Sequence, residues 1–348
     1  MTADIVNVIL KTILCLDTTP RSHQKMTENN IIFKWSSSLQ TVDNHRIFFH
    51  ETSGRQSLNL RQNCAVESAA KENPSRSVQL FLAIEKLNYS DTWLSVLRQY
   101  DNIQVILINE TEYFAQSPLE SWYREGVWRK SPFQKEHLAD YIRMLSLFKG
   151  GGLYMDLDFI TLKPLDEKIL WNFFPFPKAD RSRLTNSIFH LQHGHRLIEE
   201  ILRKLAASYY LNEYDEHGPI LVTEALTSVC GFEPEQNSSF LTTAKCPSVR
   251  LIPHQFFYPI PYSQWKKYFH EADAETLLQI EQSYAVHVWN QISSGTRLVR
   301  NSNQLYIKLA NQHCPLTIQH AANFVDVHRE YRGISVRKKI FLFGFPLL

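Results

Sequence analysis

Residues 140–165, D-Y-I-R-M-L-S-L-F-K-G-G-G-L-Y-M-D-L-D-F-I-T-L-K-P-L, constrain this chain more than any other stretch. A helical segment carrying Asp140 and Arg143 runs into Gly150-Gly151-Gly152, and a short apolar strand, Leu153 to Met155, then delivers Asp156 and Asp158. Residues two apart on a strand share one face. Paired carboxylates are hard oxygen donors suited to Mn²⁺ or Mg²⁺, and such a cation can bridge a diphosphate and neutralise charge on a departing phosphate.

The segments upstream place this motif in a sheet. Arg46 to His50, Val78 to Ile84 and Ile103 to Ile108 read as strands, with helices over Cys64 to Lys71 and Trp93 to Tyr100 between them. Strand and helix in alternation predict an α/β fold with a mainly parallel sheet. Ligands in such sheets sit beyond the carboxyl ends of the strands. Glu51, Thr52 and Ser53 lie where a nucleotide base would then bind, although a plain connecting loop reads equally well. The helix over 135–149 aligns Leu138, Tyr141, Leu145 and Phe148 on one stripe and Asp140 with Arg143 on another, a pair that a surface ion pair would also explain. Further on, Phe173 to Pro177 reads as a Pro/Phe-rich loop, Arg196 to Tyr210 and Ile220 to Val229 as helices, and Tyr284 to Trp289 as a final core strand.

At 348 residues the chain is one large domain or two joined halves. A formal net charge of +2 and the lack of a Lys/Arg-rich run before Arg337-Lys338-Lys339 argue against bulk nucleic-acid binding. Three N-glycosylation sequons start at Asn88, Asn109 and Asn237. The five cysteines show no C-x-x-C spacing; with Cys15 set apart, Cys64, Cys230, Cys246 and Cys314 make an even set, which favours an oxidising compartment. Ile5 to Leu16 is an apolar run interrupted by Asn7 and Lys11, shorter than the roughly 20 residues a membrane span needs. Residues 17–44 read as stem or linker.

Beyond the fold, an ordered set of blocks resembles the α1,4-glycosyltransferase family. These are I-F-F-H-E-T-S at 47–53, C-A-V-E-S-A-A at 64–70, W-Y at 122–123, the stretch at 140–165, H-G-P-I-L-V-T at 217–223, F-Y-P-I-P-Y-S-Q-W-K-K-Y-F at 257–269 and Y-A-V-H-V-W-N at 284–290. The resemblance covers about 45 to 320 and implies a GT-A, Rossmann-like fold in two parts: a D-x-D sugar-nucleotide half at 45–180 and a C-terminal half at 181–325, with 1–44 as anchor and stem and 326–348 as an unmatched tail. It further implies a type II Golgi membrane protein with a luminal catalytic domain, a UDP-sugar donor, Mn²⁺ or Mg²⁺, a glycolipid acceptor, and transfer with retention of configuration.

By the same resemblance, Asp158 is a direct metal ligand, Asp156 serves the ribose, the metal or both, and His287 is the third metal contact. Asp140 and Arg143 match an Asp-x-x-Arg pair that holds donor-sugar hydroxyls. Ser53, Gly151, Gly152 and Asn186 complete the expected donor site, although a turn needing positive φ explains the glycines equally well. His217, Tyr262, Gln264, Trp265 and Trp289 are the expected acceptor side; for each aromatic a plain core position is the competing reading. Asn186-Ser187-Ile188-Phe189 stands where the family tends to have Asn-Gly-Ala-Phe, which leaves the donor open among galactose, N-acetylgalactosamine and N-acetylglucosamine. Two other classes compete. A haloacid-dehalogenase phosphatase wants Thr or Val where Ile160 stands, and an inactive partner-binding paralogue would not need intact acidic positions.

Overall fold

The computed structural model describes residues 42–84, 91–168, 170–178, 183–232 and 248–321, with the backbone of 26–28, 31–35, 241–243 and 246–247. The expected anchor, Asn88, Asn237 and the tail at 326–348 lie outside the described residues.

Twelve strands are present among them: β1 (Met26–Glu28), β2 (Ile31–Trp35), β3 (Ile47–Glu51), β4 (Val78–Leu82), β5 (Ile103–Leu107), β6 (Gly152–Met155), β7 (Phe159–Thr161), β8 (Phe173–Pro175), β9 (Ile188–Leu191), β10 (Leu241–Thr243), β11 (Cys246–Ile252) and β12 (Ala285–His287). Ten form one sheet in the order β1-β2-β5-β4-β3-β6-β9-β8-β11-β10, while β7 and β12 pair separately. Strands β3, β4, β5 and β6 are parallel neighbours, whereas β9 runs antiparallel to both β6 and β8. The sheet is thus mixed, with its run β2-β5-β4-β3-β6 parallel, as expected, and β1 antiparallel at the edge. β3, β4 and β6 are buried along their whole length, which is why they are mostly apolar without alternation, with His50, Glu51 and Gln79 as buried polar exceptions.

Counted from β3, the order β5-β4-β3-β6 reverses direction between β3 and β6. That reversal is a topological switch point, where the ends of adjacent strands part and leave a crevice for a ligand. Ile47 pairs with Leu153 and Phe48 with Tyr154, and the same register continued brings His50 level with Asp156.

Helix Leu60–Glu72 crosses from β3 to β4. Its start is fixed by Asn59, whose side chain accepts the N–H groups of Arg61 and Gln62 while the Gln62 side chain accepts the Asn59 N–H, a reciprocal cap. The disulfide Cys64–Cys314 ties this helix to the C-terminal pair Leu305–His313 and Pro315–Ala321. Cys230 is disulfide-bonded as well, so Cys64, Cys230 and Cys314 are all oxidised, as expected.

Helix Gln134–Gly150 buries Leu138, Tyr141 and Leu145 against the sheet as their spacing predicts. It ends at Gly151, whose φ of 67° suits a residue without a Cβ.

Three readings need correction. Residues 17–44, read as stem or linker, contain β1 and β2, and β2 pairs in parallel with β5. Phe173–Pro175 is a buried strand and not a loop; its two phenylalanines favour a pleated surface, and the proline sits only at its last position. The segment at 284–289 yields β12, but outside the main sheet, antiparallel to β7.

Candidate active site

β6 ends at Met155, so Asp156 and Asp158 sit in the turn that follows and not on the strand itself. The β7–β12 pairing then sets the third group. Phe159 is registered opposite His287, which brings a residue from the end of the chain beside the D-x-D turn. One ligand atom from each of Asp156, Asp158 and His287 lies within 4.8 Å of the others.

The arrangement has the features of a cation site. Asp158 Oδ2 accepts the N–H of Asn290 at 2.8 Å and its backbone oxygen accepts that of Val288 at 2.9 Å. Its Oδ1 is buried without a hydrogen-bond partner although His287 Nε2 is 3.0 Å away. Held 3.0 Å apart with an Asp156 oxygen alongside, Oδ1 and Nε2 are donors that one cation could share. Asp158 shows opposing influences: burial pushes its carboxyl up, but His287 and the Asn290 N–H hold it below the ordinary carboxylate range. Burial lifts Asp156, Arg143 opposes that, and the Asp158 charge adds to the rise. Two crowded carboxylates and one imidazole form a donor set that fits Mn²⁺ or Mg²⁺.

A second cluster adjoins the first. Arg143 Nη1 lies 3.3 Å from Asp156 Oδ1 and donates to the Asn186 carbonyl at 2.7 Å, while its Nε lies 3.5 Å from Asp140 Oδ1. Asn186 Nδ2 closes the ring by donating to Asp140 Oδ1 at 2.8 Å. The guanidinium also stands over the Tyr154 ring, whose hydroxyl donates to Asp156 Oδ1 at 2.5 Å. Asp140 and Arg143 are therefore a buried pair and not a surface one. Burial raises Asp140 to about 6, with Arg143 and Asn186 opposing. Gly218 approaches so closely that a Cβ there would meet Asn186 Nδ2 at 2.6 Å and Asp140 Oδ2 at 3.0 Å.

Tyr262 is 47% exposed and meets Trp289 edge-to-face. Trp289 lies against His287, with ring centroids 4.3 Å apart, and donates its indole N–H to the Ile260 carbonyl. It does so with a φ of 56°, a left-handed backbone that a tryptophan adopts at a cost. These two rings form an aromatic corner beside the carboxylates. Gln264 is exposed on the same 3-10 helix, Tyr262–Phe269.

Other expected residues fall elsewhere. Gly151 and Gly152 start β6, at the far end of the strand from Asp156. A Cβ on Gly152 would strike Arg46 Cγ at 2.7 Å, and one on Gly151 would strike the His193 nitrogen at 2.6 Å. The glycine run makes room for the fully buried Arg46, which donates to the carbonyls of Gly151 and Ser146, and it does not line the donor crevice. His217 is 1% exposed and packed among His137, Tyr141 and Tyr209, with Nε2 accepting the Tyr210 N–H. At that burial it presents no surface to an acceptor. Trp265 packs on Phe269, in the core that also holds Tyr268, Leu305 and Tyr306. Ser53 lies past β3, hydrogen-bonded to Glu51 Oε1, while Gln62 holds Glu51 Oε2. Asn109 is exposed and caps helix Glu110–Phe114.

Sequence reasoning passed over Tyr154, His50 and Asn290. Asn290 closes the block Y-A-V-H-V-W-N, so that signal was present. Tyr154 and His50 stack on each other behind Asp156 and read as ordinary strand residues.

A Rossmann-type switch point with a D-x-D turn at its crevice, completed by a late histidine, defines a GT-A glycosyltransferase. The chain belongs to the α1,4-glycosyltransferase family. Residues 190–321 match the alpha 1,4-glycosyltransferase conserved region, and 59–172 match the glycosyltransferase sugar-binding region containing the DXD motif. It is 34% identical over 276 residues to lactosylceramide 4-alpha-galactosyltransferase of Mus musculus, covering 78% of this chain and 74% of that one. It is 31% identical to alpha-1,4-N-acetylglucosaminyltransferase of Homo sapiens, covering 82% and 84%. Among solved structures, an active-site mutant of LgtC superposes with a TM-score of 0.42 at 12% identity, covering 77% of this chain and 95% of that one.

Proposed function

We propose that this enzyme is a Mn²⁺-dependent, retaining α1,4-glycosyltransferase that moves galactose or N-acetylgalactosamine from a UDP-sugar to a galactose-terminated glycosphingolipid. The convergence of Asp156, Asp158 and His287 beside the Asp140–Arg143–Asn186 cluster carries the reading. Asp158, Asp156 and His287 would hold the cation. Once bound, it supplies positive charge to the leaving diphosphate. Asp140 and Asn186 orient donor-sugar hydroxyls, and the planar Arg143 fork reaches between them and Asp156. The Tyr262–Trp289 corner offers the acceptor an apolar platform, with Gln264 as a polar neighbour. Retention follows from front-face transfer, in which a phosphate oxygen of the donor takes the acceptor hydroxyl's proton.

The relatives' printed names support the acceptor class, since one acts on lactosylceramide. They also favour a second donor, N-acetylglucosamine. Disulfides and the exposed sequon at Asn109 support a luminal, Golgi-membrane setting with N-glycosylation at Asn88, Asn109 and Asn237. Among the described residues no helix is long and apolar enough to cross a membrane.

The test is a panel of UDP-sugars offered to the purified enzyme with lactosylceramide, other neutral glycolipids and free oligosaccharides, the product linkage being read by NMR. An α1,4 linkage formed on glycolipid, with slower transfer to free sugar, is expected. Equal rates on free lactose or strict preference for a glycoprotein would overturn the glycolipid part.

A further inference from the structure

Arg61 stands in the first turn of helix Leu60–Glu72, far in sequence from any residue of the metal site, yet its guanidinium is spent on the segment that follows His287. Nη1 donates to Asn290 Oδ1 at 2.8 Å, to the Ser293 carbonyl at 2.9 Å and to Ser293 Oγ at 3.0 Å, and Nη2 donates to the Thr296 carbonyl at 2.9 Å. The group is buried, with its charge 4.7 Å over the Phe269 ring. What it grips is the backbone that fixes Asp158. Asn290 gives its N–H to Asp158 Oδ2, Val288 gives its N–H to the Asp158 carbonyl, and Ser293 Oγ bonds back to the Val288 carbonyl. Between Val288 and Asn290 the chain passes through Trp289 in its left-handed conformation, which persists only where surrounding contacts over-determine it.

We propose that Arg61 is a positioning residue of the metal centre: by clamping Asn290, Ser293 and Thr296 it holds the turn after His287 so that Asp158 Oδ1 and His287 Nε2 face one point. Four acceptors gathered on two nitrogens, two of them sharing one Nη1 N–H, suit the planar arginine fork. Hydrogen-bond partners behind metal ligands set ligand orientation, and their loss costs about 10–100-fold in metal affinity. The inference rests on the metal reading of the site.

The test is Mn²⁺ affinity of the whole chain, measured by EPR titration without substrate, for the wild type, Arg61→Gln, Arg61→Lys and Asn290→Ala. The wild type binds Mn²⁺, and folded Arg61→Gln binds about 10–100-fold more weakly. Lysine restores part of the loss by keeping charge and one or two donations. Asn290→Ala weakens binding in the same direction, and combining it with Arg61→Lys costs less than the sum of the two. A folded Arg61→Gln protein with wild-type affinity, or Arg61→Lys with wild-type affinity if the glutamine variant does not fold, overturns the inference and leaves the metal site standing. A wild-type chain that binds no Mn²⁺ overturns both.

Discussion

His287 Nε2 lies 3.0 Å from Asp158 Oδ1, yet that oxygen has no hydrogen-bond partner. The β7–β12 register holds the two atoms together, and the Asn290 N–H on Asp158 Oδ2 turns the other oxygen toward the imidazole. Asp158→Asn keeps the shape and the backbone contact but removes the charge. It is expected to leave the fold intact and to lower transfer on the order of 10²–10³-fold, as lost preorganised electrostatics do. Steady-state kinetics with a thermal melt on the same sample check it; near-normal turnover in a folded variant counts against the assignment.

Arg143→Lys keeps a charge and loses the fork. Arg143 reaches the Asn186 carbonyl, Asp140 and Asp156 at once, which a single ammonium cannot do. The expected result is weaker use of the donor, seen in kcat/KM for the UDP-sugar, with acceptor KM little changed. Unaltered donor kinetics would reduce Arg143 to a structural ion pair.

Two glycines separate packing from donor chemistry. Gly151→Ala places a Cβ 2.6 Å from the His193 nitrogen and forces an L residue to a φ of 67°, so it should lower Tm, with a cost of about 1–3 kcal/mol. Gly218→Ala presses instead on Asn186 and Asp140, so it should depress donor kcat/KM more than it lowers Tm. The reverse pattern, measured by calorimetry and kinetics on both variants, would contradict this division.

Acid should destabilise the fold through its buried imidazoles. Burial lowers His190 to about 4, where Nδ1 accepts the Asn172 N–H and Nε2 faces the Asn44 carbonyl. His217 is lowered to about 3 by burial and the neighbouring His137. A histidine whose folded value is depressed gives stability that is fully present above its unfolded value near 6.5 and is lost as pH falls toward the folded one. Asp140, raised to about 6, works the opposite way by favouring the folded state as pH falls through that range. Burial lowers His50, His137 and His313 as well, so the depressed imidazoles prevail and denaturant midpoints should fall between pH 6.5 and 4. His190→Gln should reduce the total stability lost over that window by on the order of 3 kcal/mol; an unchanged loss would show that His190 titrates normally.

Much of this candidate site was legible in the sequence because its chemistry is local. Asp156 and Asp158 lie two apart in one turn, and Asp140 and Arg143 lie one helical turn apart; the late block Y-A-V-H-V-W-N then supplied His287, and Asn186 came from a segment that departs from the family pattern. The glycines misled for a physical reason. A run of three glycines serves a phosphate loop or a crowded interior equally well, and only the placement of Arg46, about a hundred residues upstream, distinguishes them. His217 misled similarly, since burial among aromatic rings is a tertiary property. Arg61 left no local signal at all, its partners lying 229 to 235 residues away.

The dependence of initial transfer rate on free Mn²⁺ tests the central claim most directly. After EDTA treatment and desalting, the wild-type enzyme with a labelled UDP-sugar and lactosylceramide should show essentially no transfer. Added Mn²⁺ should restore it along a saturable curve that Asp158→Asn and His287→Ala shift to higher metal or abolish. Undiminished transfer in excess EDTA, with the same rate in both variants, would contradict the account of Asp156, Asp158 and His287 as the metal site.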